Sequence, residues 1–170
     1  MSLPLLSIKN LSVDFRQGTR VTNAVRNASL DLYQGETLAL VGESGSGKSV
    51  TAHSVLRLLP VSASHPNGEI IFDGENLLQL ADSKIRGIRG NRIGMIFQEP
   101  MTSLNPVLTI GRQISEVISL HQGVSNRVAR DRAVEMLDRV RVPDPHQRVN
   151  EYPHQSVSYT HLTLPTIYSV

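Results

Sequence analysis

The stretch TLALVGESGSGKSVTAHSVLRLL, residues 37–59, contains the pattern that decides the fold. Its first part, TLALV at 37–41, predicts a short buried strand, and the residues after position 47 change to a helical spacing. Four apolar residues would share one face of a helix over 48–59: Ala52, Val55, Leu56 and Leu59. Pro60 is expected to end that helix. The order predicts a strand, a glycine-rich loop and a helix.

The loop itself, GESGSGKS at 42–49, fits the pattern G-x-x-x-x-G-K-[ST]. Its glycines let the backbone curl so that successive N–H groups point inward, and the following helix presents its positive end to a phosphate. Lys48 would reach the β- and γ-phosphates, and the Ser49 hydroxyl would hold Mg²⁺. The alternative is a Gly/Ser-rich linker that contains a lysine, but the flanking strand and helix argue against it. The predicted nucleotide-binding residues are Gly42, Glu43, Ser44, Gly45, Ser46, Gly47, Lys48, Ser49 and Val50.

Other periodicities place this unit in an α/β fold. Apolar alternation predicts strands at 6–16 and 29–33, a strand and turn at 69–76, and a buried strand at 92–98. After residue 98 the spacing becomes helical, and residues 107–142 are expected to be mostly helix. The chain is therefore predicted to have a first part that mixes strands and helix, followed by a helical region.

Composition excludes several classes of protein. The 170 residues contain no Cys, which rules out a disulfide framework and a Cys-based metal site or nucleophile. The net charge is +2 and no basic block marks a nucleic-acid groove; Arg86, Arg89 and Arg92 come nearest and are expected to lie in a solvated loop. No stretch approaches the roughly 20 apolar residues of a spanning helix, so a membrane role is expected to come through a partner.

Two quoted segments carry a resemblance to a known family. LVGESGSGKSVTAHSVLRLLP at 40–60 and IGMIFQEPMTSLNPVLTIGRQISEV at 93–117 resemble the ATP-binding subunits of ABC transporters. The wording FQEPMTSLNP is similar to the oligopeptide and dipeptide importer branch, which includes relatives for nickel, glutathione and microcin-type peptides. The resemblance runs from about residue 6 to Gln155. It implies a P-loop ATPase core with an N-terminal antiparallel β layer and the start of an α-helical subdomain.

The same resemblance implies roles for two further residues. Gln98 matches the glutamine that contacts Mg²⁺ and the attacking water in this family, which makes it a catalytic and metal-site candidate beside Lys48 and Ser49. Phe15 matches the aromatic residue that stacks on adenine. The alternatives are an ordinary glutamine at a strand end and a core phenylalanine on an alternating strand, and the residues alone leave both open.

Partners and location are implied in the same way. The family's subunits bind ATP and Mg²⁺, pair with a second ATP-binding subunit, and work on transmembrane permease subunits at the cytoplasmic face of the bacterial inner membrane. A periplasmic or extracellular solute-binding protein would take part indirectly. Residues 99–120 match the part that meets the permease, and no nucleic acid is expected.

The last part of the chain departs from the family. After EYPHQ at 151–155 the family continues into a signature loop, a strand with the catalytic base, and a switch histidine, whereas here SVSYTHLTLPTIYSV follows. Positions 152–170 contain no Lys, Arg, Asp or Glu, although charged residues make up 19% of the chain. We expect three regions: a nucleotide-binding core at 1–100, a partial helical subdomain at 101–155, and a non-native tail at 156–170. The alternative for the tail is a genuine terminus that is frameshifted or divergent. The chain as written is expected to be inactive as an ATPase.

Three other functions are alternatives to this interpretation. A GTPase should carry an N-K-x-D guanine motif, and the sequence has none. A nucleotide-binding fragment without turnover fits the chain as it stands. An ABC ATPase of DNA repair or translation is the third, and the FQEPMTSLNP wording argues against it.

Overall fold

A computed structural model describes residues 3–98 and 104–155 of the chain. The chain divides into two compact units, Met1–Arg86 and Gly87–Val170, and each is described by itself. The boundaries expected from the sequence, at 100 and 155, remain a prediction. The tail 156–170 and the segment 99–103 lie outside the described residues.

The first unit is built on an antiparallel sheet. Its strands are β1 (Leu6–Gln17), β2 (Arg20–Leu32), β3 (Ala63–Phe72) and β4 (Glu75–Asn76), in the order β2-β1-β3-β4. The apolar alternation predicted the strands at 6–16, 29–33 and 69–72, and the structure confirms them. This sheet is the antiparallel layer that the family resemblance implied.

Two-residue turns set the register of this sheet. Asp73-Gly74 joins β3 to β4 with both residues at positive φ, which is the type I′ geometry that suits the twist of a hairpin. Between β1 and β2, where Gln17 pairs with Arg20, Gly18 has a φ of 60°. A positive φ at the first loop position is typical of a type II′ turn, for which glycine is preferred.

The first unit buries apolar side chains from its strands and from the segments outside the sheet. The buried strand residues include Ile8, Leu11, Val13, Ile70 and Phe72, and Val55, Leu56, Leu77 and Ile85 are buried outside the strands. Between β1 and β2 polar side chains pair across the strands, as in Ser7 with Asp31 and Asn23 with Asp14. The first unit thus contains buried apolar residues of its own.

Helix α1 (Lys48–Val55) follows the glycine-rich loop, but it ends earlier than predicted. Arg57 takes the left-handed conformation at φ 51°, and its N–H bonds to the carbonyl of Ser54 while the N–H of Leu58 bonds to His53. This pair of bonds is a Schellman motif, which closes a helix. The predicted apolar face is therefore only partly right: Val55 and Leu56 are buried, Leu59 is half-buried and Ala52 is exposed.

Two predicted buried strands do not form. Residues 37–41 have no regular secondary structure, and within the described part of 92–98 a single bridge links Ile93 to Arg89. Five large apolar side chains of these stretches are exposed, namely Leu38, Leu40, Val41, Ile96 and Phe97, whereas Ile93 and Met95 are half-buried. A strand exists only where a neighbour accepts its backbone hydrogen bonds, and no described segment pairs along either stretch.

The prediction that Arg86, Arg89 and Arg92 lie in a solvated loop is wrong in part. Arg86 lies in a short helix, α2 (Asp82–Ile88), and its Nε donates to the carbonyl of Asp82. Ile85 and Ile88 are buried, so the helix is held by one apolar side while Arg86 stays exposed.

The second unit is helical, as predicted for 107–142. Helices α3 (Ile110–Gln122) and α4 (Asn126–Arg139) are followed by a short α5 (Pro145–Arg148) and a 3₁₀ turn at Pro153–Gln155. Their core contains Ile110, Ile118, Ala129, Ala133, Leu137 and Val149. Gly111 lies so close to Val149 that an added Cβ would be 2.5 Å from its carbonyl oxygen, to which Gly111 donates at 2.9 Å. Among the described residues, no helix is long and apolar enough to cross a membrane.

A half-buried histidine is expected to make the first unit sensitive to pH. His65 lies on β3, and among the described residues its buried Nε2 has no hydrogen-bond partner. Burial lowers the pKa of His65 below its usual 6.5, and the positive charge of Arg57 lowers it further. Above pH 6.5 the side chain is neutral in both states. As the pH falls below 6.5 the unfolded chain binds the proton first, so stability is lost until the pH reaches the folded pKa.

We therefore expect the free energy of unfolding to decrease with falling pH in the window below 6.5. His65→Gln should flatten this decrease, because the substituted side chain does not titrate. Urea unfolding of both proteins at several pH values measures the slope. The exposed His146→Gln serves as the control and should keep the slope of the parent. An unchanged slope in His65→Gln would contradict the assignment.

Candidate functional site

The glycine-rich loop is shaped by two glycines in the left-handed region. Gly45 has a φ of 80° and Gly47 a φ of 90°, which side-chain-bearing residues rarely adopt. The N–H of Ser46 donates to the carbonyl of Glu43 at 3.2 Å, which closes a turn within the loop. Gly47 is then the N-cap of α1 and Lys48 is its first residue.

Gly47 also brings the loop against the sheet. A Cβ at this position would stand 2.5 Å from the carbonyl oxygen of Ala24 and 3.0 Å from the Val25 side chain. Only glycine permits this approach of the loop to β2. The sequence pattern indicated why glycine is needed for phosphate access, but it did not reveal this second demand.

The start of α1 keeps its positive end available. Gly47 makes no side-chain cap, and the first turn contains no acidic residue. The carbonyl of Gly47 accepts from Thr51, both from the backbone N–H at 2.8 Å and from Oγ1 at 3.0 Å. The first N–H groups of a helix have no partner within it, and together with the helix dipole they favour an anion.

Lys48 is folded over the loop that precedes it. Its Nζ donates to the carbonyls of Gly42 and Glu43, both at 2.7 Å, and to Ser46 Oγ at 3.3 Å. An ammonium group has three donors and no acceptor, so these contacts use all of them. The charge therefore lies within the curve of the loop. Gly42 leaves room for this arrangement, since a Cβ there would be 2.8 Å from Ser46 Oγ.

Among the described residues, the other predicted site residues make no hydrogen bond with the Lys48 side chain. Ser44 and Ser49 are exposed at the loop and in the first turn of α1, and Val50 is half-buried. Phe15 is half-buried on β1, opposite Thr22 on β2 and Ala63 on β3. Gln98 is exposed and belongs to the second unit. The structure thus brings residues 42–50 together, and the roles of Phe15 and Gln98 remain predictions.

An open hollow that the sequence did not predict lies at the turn end of β1. It has a volume of about 420 Å³ and is lined by Arg16, Gly18, Val61, Ser62, Ala63 and Ser64. Its residues come from two strand ends and a loop, and no single stretch of sequence marks them. Within the described residues, no group of three or more His, Asp or Glu side chains could hold a metal ion on its own.

A curled glycine loop, a lysine folded into it and an uncapped helix start define a P-loop, the phosphate-binding element of nucleotide-binding proteins. The family model described as ABC transporter matches residues 25–164, so the chain belongs to that family. The match includes the loop and runs past Gln155. It confirms the resemblance that the sequence carried.

Similar curated proteins are ATP-binding proteins of bacterial transporters. The "Peptidoglycan transport ATP-binding protein YejF" of Agrobacterium fabrum is 55% identical over 153 residues, which are 89% of this chain and 28% of that protein. The "Oligopeptide transport ATP-binding protein OppD" of Bacillus subtilis is 45% identical over 89% of this chain and 42% of its own length. A putative peptide import ATP-binding protein of Brucella abortus is covered to 46%. The chain therefore spans less than half the length of these relatives.

Solved structures confirm the predicted fold class. The dimeric structure of MJ0796, a bacterial ABC transporter cassette, is 26% identical with a TM-score of 0.74, and covers 88% of this chain and 62% of that one. A post-hydrolysis state of the same cassette, bound to ADP and Pi, has a TM-score of 0.75. The fold is an incomplete α/β ABC ATPase domain.

Two glycine substitutions separate the need for a left-handed backbone in the loop from the need for close approach to β2. Gly45→Ala meets no atom within 4 Å and should cost about 1–2 kcal/mol through backbone strain alone. Gly47→Ala adds the clash with the Ala24 carbonyl, so it should cost about 1–3 kcal/mol more. Urea unfolding of the two variants measures this difference in the free energy of unfolding. Equal destabilisation would contradict the role of the contact with β2.

Proposed function

We propose that this chain is the ATP-binding part of a subunit that energises the import of peptides or related small solutes. The observation that carries the proposal is Lys48, held inside the phosphate loop at the start of α1 by Gly42, Glu43 and Ser46. Membership of the ABC transporter family supports it, as do relatives named for peptide or oligopeptide transport.

In this proposal the loop holds the phosphates of ATP. Backbone N–H groups of 43–50 other than that of Ser46, which donates to Glu43, would bind the phosphate oxygens, and Lys48 would keep its two short bonds to the loop carbonyls. Its third donor, now on Ser46 at 3.3 Å, turns to a phosphate oxygen. That bond is the longest of the three, so it is the one that a phosphate oxygen would replace first.

The residues present also fit Mg²⁺. In nucleotide sites Mg²⁺ is bound by one or two protein oxygens, by phosphate oxygens and by water, so a cage of carboxylates is not required. Ser49 supplies a hydroxyl from the exposed side of the first turn of α1. Gln98 is the proposed second protein oxygen, and Phe15 is proposed to stack on adenine.

Hydrolysis would transfer the γ-phosphoryl group to water, and the loop donors and Lys48 would stabilise the developing negative charge. A base that orients the water and a signature loop from a second subunit complete such a site in the family. We place both outside this chain, which then binds nucleotide with little turnover. Its permease partners, its pairing with a second ATP-binding subunit, the indirect role of a solute-binding protein and its location at the cytoplasmic face of the inner membrane are part of the same proposal. No nucleic-acid partner is proposed.

The first test is the binding of ATP with Mg²⁺ by the chain and by Lys48→Ala. Removing the ammonium group should weaken binding at least about tenfold, because a charge-assisted contact to phosphate is worth roughly 1.5–3 kcal/mol. Calorimetry measures both affinities. Lys84→Ala is the matched control, since Lys84 is an exposed lysine of the same unit that pairs with Glu75 at 3.3 Å. Equal affinities in the chain and Lys48→Ala would refute the site.

The second test concerns turnover. The chain should hydrolyse ATP about 10²–10⁴-fold more slowly than a full-length peptide-importer relative assayed beside it, because a missing positioned base has an effect of that size. A phosphate-release assay at saturating ATP measures both rates. Turnover comparable to that of the relative, and lost in Lys48→Ala, would mean that the base lies within these residues.

A further inference from the structure

An Asn-Gly pair lies on β3, at Asn67 and Gly68, and the chain contains no second asparagine that is followed by glycine. The backbone nitrogen of the residue after an asparagine can attack the side-chain amide carbon, and glycine hinders this attack least because it has no Cβ. Asn67 is exposed, and within the described residues its side-chain amide has no hydrogen-bond partner. The amide is therefore free to turn toward the nitrogen of Gly68.

The pairing of β3 with β1 is irregular at this pair. Lys9 pairs with Glu69 and Ser12 with Asn67, so two residues of β1 lie opposite Gly68 alone. Such a β-bulge disrupts the hydrogen-bonded ladder locally. A disrupted ladder opens at a lower free-energy cost than a regular one, so the backbone nitrogen of Gly68 is more accessible to reaction here than in a regular strand.

The same position has no room for a longer backbone. Gly68 has a φ of 99°, and a Cβ there would stand 2.5 Å from Leu11 Cα and 2.7 Å from the carbonyl oxygen of Asn10. Leu11 is fully buried, so β1 cannot move away without exposing a core side chain. An atom inserted into the chain beside Gly68 would therefore disturb the contact of β3 with β1.

We propose that Asn67 is a site of spontaneous deamidation and that this modification weakens the pairing of β3 with β1. The nitrogen of Gly68 loses its proton and bonds to Cγ of Asn67, and the side-chain nitrogen leaves as ammonia, which gives a cyclic imide. Water then opens the imide at Cγ, which yields aspartate, or at the backbone carbonyl carbon, which yields isoaspartate. The net reaction consumes water and releases ammonia, so it needs no oxidant or reductant.

The two products differ in what they do to the sheet. Aspartate at position 67 keeps the ordinary backbone and adds only a negative charge at an exposed site. In isoaspartate the chain runs through Cβ and Cγ, which places an additional carbon between Cα of residue 67 and the nitrogen of Gly68. Since Gly68 lies in close contact with Leu11, the isoaspartate form loses part of the pairing with β1.

The experiment incubates the purified, folded chain at neutral pH and samples it over time. Peptide mapping by mass spectrometry, with fragmentation that distinguishes isoaspartate from aspartate, should show deamidation at Asn67. Asn126 is the control within the chain, because it is exposed and has no side-chain hydrogen-bond partner among the described residues but precedes Arg127. It should stay unmodified over the same time, and Asn67→Gln should lose the modification at position 67.

The deamidated fraction is then separated by ion exchange and compared with Asn67→Asp, which carries the same charge on an ordinary backbone. The deamidated fraction should unfold at a lower urea concentration, and the amides of β1 and β3 should exchange faster in it. Three outcomes would overturn the proposal. They are modification of Asn126 as fast as that of Asn67, modification of Asn67 only after unfolding in urea, and unfolding of the deamidated fraction at the same urea concentration as Asn67→Asp.

Discussion

The close approach of Gly47 to the Ala24 carbonyl fixes the phosphate loop in this structure. On its other side the loop is preceded by residues 37–41, which pair with no described strand, so β2 is the part of the sheet that can hold the start of α1. β2 is in turn aligned by the two-residue turn at Gly18 and by its register with β1. The position of Lys48 thus depends on a contact at which no side chain fits.

Features that depend on neighbouring residues in the sequence were predictable. The turn at Asp73-Gly74 has positive φ at both positions, and the Asp-Gly pair in the sequence predicts such a turn. The phosphate loop is equally local, because seven residues around Gly45 contain the turn, the lysine and its carbonyl acceptors. The helices at 110–139 follow from apolar spacing that lets Ile118, Ala133 and Leu137 share one core.

Features that need distant partners were not predictable in this way. An apolar run such as 37–41 or 93–97 shows that a segment is suited to be a buried strand, but its hydrogen bonds must come from elsewhere in a domain. The early end of α1 has a similar origin: Arg57 adopts the left-handed conformation that normally favours glycine, and its side chain is held by the Leu80 carbonyl and Asp82. No local rule assigns that role to an arginine.

This contrast between local and distant interactions also divides the proposed function. Phosphate binding uses a loop, a lysine and a helix start that are contiguous in sequence, so these can form while the strand before them stays unpaired. Turnover as proposed would require groups from separate parts of a domain. The proposed contributor Gln98, for example, belongs to a different compact unit from Lys48. In the proposed function, binding therefore demands less of the fold than catalysis does.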